Sequence, residues 1–214
     1  MTAINIFALI ILGLLLQTGG AYLVNAAVQL LEGGAAGSSA ASAAGQYSDY
    51  MSTIRAMESM QIAHAIIVSP ILEEIVFRLI FLRAGKMVMP FWAANLVQAL
   101  LFGYYHTVTI QKVYGFVMGL IIGCVFYYCP LIYKKAHASE DDDKDDMLSR
   151  LVDIPNSLLG IMITIPLHMI INASGIFVMP LFPRYIAIAL QLTIGTVCML
   201  AASGSVFTLY HQSK

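Results

Sequence analysis

The chain has 214 residues, of which 59% are hydrophobic and 11% charged, and its mean hydropathy is +0.81. Soluble domains carry about 25% charged residues, so this composition excludes a water-covered globule and implies an integral, multi-pass membrane protein, in the plasma membrane if the chain is bacterial. A formal net charge of −1 leaves no basic stripe, which excludes nucleic acid as a partner and leaves the lipid bilayer as the first one.

At roughly 20 residues per span, the length holds about six transmembrane helices. The expected fold class is an all-α polytopic bundle forming one domain, 1–214. The first span covers 4–31, interrupted only by Asn5, Gln17, Asn25 and Gln29. It lacks the basic start of a secretory signal, so a retained helix is expected even though the small residues at 33–45 contain triplets a signal peptidase could use. That Gly/Ala/Ser stretch reads as a flexible connection.

A second helical pattern runs over 49–89, with Arg55 and Glu58 near its start and Arg83 and Lys86 near its end. Pro70 removes a backbone hydrogen bond in its middle and is expected to kink it just before Glu73 and Glu74. Pro90 marks a turn into a third span, 91–109, and Lys112 marks a short connection to a fourth, 113–133. Gly115, Gly119 and Gly123 on the fourth repeat every four residues, a stripe that lets another helix approach closely.

Residues 134–150 form an acidic loop with no calcium-loop spacing, read as solvated and without a role. Asp153 can cap a fifth span reaching about residue 178, with Pro155 in its first turn, and 184–210 is the sixth. Seven Lys and Arg fall on the side of the termini against three on the other, so both termini are expected in the cytoplasm. Cys124, Cys129 and Cys198 stand in apolar runs and read as small hydrophobes.

Ionisable groups inside apolar helices are costly unless paired or hydrated, and they mark function. Here they are Glu73, Glu74 and Arg78 on the second span, His106 at the end of the third, and His168, with Asn172 one turn further, on the fifth. Glu74 and Arg78 are four apart and can pair. Glu73, rotated about 100° from Glu74, must find a partner on another helix or hold a water. A hairpin turning at residues 89 and 90 brings Glu73 and His106 to matching depth, about 24 Å from the turn. His168, 15 residues beyond Asp153, reaches a similar level. His64, His137 and His211 have no matching partner. Ser69, beside Pro70, reads as a local backbone satisfier.

Two carboxylates, two imidazoles, an amide and a guanidinium fit hydrolysis of a polarised carbonyl. Glu73 with His106 would deprotonate a water, and His168 with Asn172 would donate to the oxyanion, while Glu74 and Arg78 support the base. A purely structural ion pair explains Glu74 and Arg78 but leaves Glu73 without a reason.

The pattern Glu-Glu-x-x-x-Arg (Glu73, Glu74, Arg78), Phe-x-x-x-His (Phe102, His106) and His-x-x-x-Asn (His168, Asn172), on three apolar helices in that order, resembles the CPBP, or Abi, family of intramembrane endopeptidases, which includes the type II CAAX prenyl endopeptidases. The resemblance covers residues 71–172. It implies an intramembrane glutamic endopeptidase with Glu73 as the catalytic glutamate, no required cofactor, and a peptide or membrane-protein substrate. The acidic loop 134–150 departs from the family pattern and lies outside its motifs. If the chain is bacterial, a prenylated substrate is not expected; maturation of a secreted or signalling peptide, or self-immunity to a bacteriocin, fits better.

Two other readings use the same residues. Glu73, His106 and His168 could hold zinc with a water in the fourth position. Alternatively, the cluster could only join helices in a non-enzymatic membrane component, such as a bacteriocin-immunity or transport protein.

Overall fold

Helix breakers divide the apolar sequence where the composition places them. The computed structural model describes residues 3–34, 49, 52–53, 56–137, 154–178 and 188–212. The connection beyond Gly34, Arg55, most of the acidic loop, Asp153 and Arg184 lie outside the described residues, and so does much of the charge behind the expected orientation. Among the described residues there are six helices of at least 15 residues and no strand, as an all-α bundle requires.

Helix α1 is Ala3–Gly34. Helix α2 runs unbroken from Ser59 to Val88, but its register changes: Ser59–Ala63, Ser69–Glu74 and Arg83–Val88 are α-helical, whereas His64–Val68 and Ile75–Leu82 are π-helical. Pro70, where the sequence predicts a kink, falls just after a widened turn, and a second π segment begins directly after Glu74. Met89 is extended and Pro90 caps helix α3, Phe91–Tyr105, so the α2–α3 hairpin turns where the sequence predicts. Helix α3 stops four residues short of the expected 109, leaving His106 extended beyond its end. Helix α4, Thr109–His137, therefore starts before Lys112. Helices α5, Ile154–Phe177, and α6, Ile188–Gln212, complete the bundle.

Three stretches are long and apolar enough to cross a membrane by length and composition, Ala8–Ala27, Thr109–Leu131 and Asn156–Phe177; Ala189–Ala202 is a shorter apolar stretch. They belong to α1, α4, α5 and α6. One core cluster joins these four helices through Leu16, Met118, Ile122, Leu167, Ile171 and Ala202. A second joins α2, α3 and α4 through Leu82, Ala94 and Phe126.

Lipid offers a backbone no alternative partners, so polar groups between helices must satisfy one another. Asn25 Nδ2 donates to Gln191 Oε1 at 2.8 Å between α1 and α6, and the Tyr114 hydroxyl donates to Gln17 between α4 and α1. Two of the polar interruptions of the first span are therefore helix-to-helix bonds. On α3, Gln98 Nε2 donates to Gly119 O at 2.8 Å and Asn95 Nδ2 to Leu120 O at 3.0 Å. These bonds need the close approach offered by the α4 glycines. A Cβ at Gly123 would collide with the Asn95 side chain, and one at Gly119 would press on Ala99. Helix α3 is thereby seated on α4, and α2 lies against both α3 and α5.

Candidate active site

The cluster forms where α2, α3 and α5 meet. Glu74 and Arg78 are fully buried, with Arg78 Nη1 3.2 Å from Glu74 Oε1, so the pair expected one turn apart on α2 is formed. The Arg78 guanidinium also lies 4.5 Å over the face of the Phe102 ring, a cation–π contact that adds to its pairing with Glu74.

From α5, the buried His168 reaches both glutamates: its Nδ1 is 2.9 Å from Glu74 Oε1 and its Nε2 is 3.6 Å from Glu73 Oε2. Glu74, ionised against Arg78, can only accept, so His168 Nδ1 must carry its proton towards Glu74. The other nitrogen then faces a second carboxylate. At 3.6 Å the two stand just beyond direct hydrogen-bond reach. Glu73 is the more open of the two acids, its side chain 14% exposed where Glu74 is sealed.

The hairpin arithmetic gave Glu73 the partner His106. Glu73 does lie within electrostatic range of His106, but also of His168 and Arg78, and its short contact is with His168. The short contact of the Glu73 carboxylate is thus made across to α5 rather than to α3.

His106 has a defined tautomer. Because α3 ends at Tyr105 with His106 N–H bonded to Gly103 O at 3.2 Å, the Phe102 carbonyl is one of the orphan acceptors of a helix end. His106 Nδ1 lies 2.9 Å from it. A carbonyl can only accept, so Nδ1 carries the hydrogen, and in the neutral ring Nε2 is then the acceptor. Gly115 on α4 makes room for this ring: a Cβ there would stand 3.0 Å from His106 Nδ1. The Phe102 ring joins the parts, edge-on to His106 at 5.1 Å, to His168 at 5.8 Å and to Phe77 at 5.1 Å.

Asn172 is half-buried and its Nδ2 donates to Ala65 O on α2 at 3.0 Å. Ser69, expected to satisfy the local backbone, instead faces His64 Nδ1 at 3.4 Å.

Thr164 escaped the sequence reading. It is fully buried on α5, one turn before His168, with its hydroxyl turned towards Glu74. Neither Thr164 Oγ1 nor Glu74 Oε2 has a hydrogen-bond partner among the described residues. Its spacing of four from His168 was the available signal.

Residues 56–134 match the family model of the type II CAAX prenyl endopeptidases, Rce1-like. This is the family that the three motifs resemble. The match covers just over a third of the chain and takes in Glu73, Glu74, Arg78, Phe102 and His106; His168 and Asn172 lie outside it. No curated protein and no solved structure matches the chain.

Proposed function

We propose that this chain, similar over its central segment to the type II CAAX prenyl endopeptidases, is an intramembrane endopeptidase that hydrolyses a peptide bond with a water activated by Glu73 and His106. One observation carries the reading. His168, outside the matched segment, lies against both glutamates inside it, so motif residues from α2 and α5 share one site.

In this mechanism the water binds between Glu73, the more open carboxylate, and His106 Nε2, whose lone pair is kept free by the Phe102 carbonyl. Glu73 takes a proton as the water oxygen attacks the scissile carbonyl carbon, and the C=O pair moves onto oxygen. His168, its Nδ1 side anchored on Glu74, donates from Nε2 to that oxyanion, joined by the second amide hydrogen of Asn172. Collapse of the intermediate breaks the C–N bond, and the proton held by Glu73 passes to the leaving amine. Glu74 and Arg78 neutralise each other and fix His168, so the apolar site holds one reactive carboxylate.

Zinc is the other reading of Glu73, His106 and His168. Among the described residues no three His, Cys, Asp or Glu side chains gather closely enough to hold a metal ion. The substrate class is a small peptide or membrane protein that enters between α2, α3 and α5 from the bilayer, and the six helices are all read as membrane-embedded.

The test is peptidomics of cells carrying the wild-type chain against Glu73→Gln. Peptides that disappear, with uncleaved precursors accumulating, are expected; identical inventories at equal membrane abundance would overturn the proposal.

A further inference from the structure

Pro70 leaves a gap in the hydrogen bonding of α2 at a definable atom. In the π turn His64–Val68 the Ser69 N–H closes on His64 O, five residues back. The next rung in that register runs from residue 70 to Ala65 O, and proline has no N–H to supply it. The Ala65 carbonyl is on the α2 face turned towards α5, where lipid provides no donor.

Asn172 supplies the donor. Its Nδ2 lies 3.0 Å from Ala65 O, across 107 positions of sequence. Asn172 stands one turn beyond His168 on α5, and Ala65 stands eight residues before Glu73 on α2. The bond therefore fixes how far α5 is displaced along α2, and that displacement sets whether the His168 ring falls level with both glutamates.

We infer that Asn172 is a positioning residue, acting through the carbonyl that Pro70 leaves open, which sets the register of α5 on α2 and so brings His168 onto Glu74 and Glu73. Its bearing on catalysis rests on the protease reading above; the register itself does not. One amide hydrogen makes the clamp and the other stays available to substrate.

The experiment pairs Asn172→Leu with Pro70→Ala in full-length protein, selectively labelled with ¹⁵N-histidine in detergent. Alanine at 70 restores a backbone N–H to α2 and relieves the demand for an outside donor. Asn172→Leu is expected to shift the His168 ring nitrogens, as the Nδ1 bond to Glu74 lengthens, and to lower the melting temperature. The fall in melting temperature should shrink in the Pro70→Ala background. A residue that only met the oxyanion would leave the His168 signals of substrate-free protein unmoved. Unmoved signals, or melting shifts that simply add, would overturn the inference. If Asn172→Leu fails to fold, the double variant decides: recovery of folded protein supports the clamp, and continued failure overturns it. Coupling without any cleavage of peptides would remove the protease reading and leave the clamp standing, whereas cleavage without coupling would do the reverse.

Discussion

His168 and Glu74, 94 positions apart in sequence, meet at 2.9 Å in the interior of the bundle, and the bond orients the imidazole towards Glu73. Replacing His168 with Gln keeps an amide donor but cannot bridge both acids. Cleavage should fall by about 10²- to 10⁴-fold, the usual contribution of a proton-handling group. Initial rates on a precursor peptide, with a melting curve alongside to establish folding, measure it.

Arg78 and Glu74 should behave asymmetrically as single and double substitutions. Arg78→Met leaves Glu74 charged and sealed, at a cost of about 3–5 kcal/mol. Removing both charges with Arg78→Met and Glu74→Gln should recover much of that loss, because the remaining groups no longer need neutralising. Denaturation in detergent gives both values, and a double variant no more stable than Arg78→Met would count against the pair as drawn.

Much of this was legible in the sequence because lipid makes every ionisable residue conspicuous. Glu73, Glu74, Arg78, His106 and His168 stood out by being out of place, and Pro90 gave the hairpin. The glycine stripe on α4 announced the close contact with α3 that now seats Asn95 and Gln98. What could not be read was rotation. Counting residues suggests a depth for Glu73, but not which helix it meets, and the π segments on either side of it in α2 are not legible in a 3.6-residue periodicity. Thr164 was hidden for a different reason, since a threonine in a membrane helix is ordinary until a carboxylate is found beside it. The Asn172 bond was equally invisible, because it answers a vacancy in hydrogen bonding that exists only when α2 widens ahead of Pro70.

Gly115→Ala offers a mild displacement of His106. The added methyl would press on the imidazole at 3.0 Å and tilt Nε2 away from the water it serves. A misplacement on the order of 1 Å costs about 10²-fold, so turnover should drop by 10- to 100-fold with little change in KM. In ¹H–¹⁵N spectra of substrate-free wild-type protein, His106 should show the hydrogen on Nδ1; a hydrogen on Nε2 would contradict its role as acceptor.

Metal removal separates the two hydrolytic readings. Prolonged dialysis against a strong chelator should leave cleavage within about twofold of the starting rate, since Glu73 and His106 suffice as acceptors. Zinc recovered at one per chain, with activity lost on removal and regained on its return, would replace the glutamate mechanism with a Lewis-acid one.

The 15 residues of α3 give it a rise of about 22 Å, against a hydrocarbon layer about 30 Å thick. Such a mismatch is met by thinning of the neighbouring leaflet. Read as a span of the proposed bundle, α3 would carry its C-terminal end, and His106 just beyond it, nearer one membrane surface than a full-length span would. In the proposed protease, a short α3 would give water a route to His106 from the adjacent membrane surface.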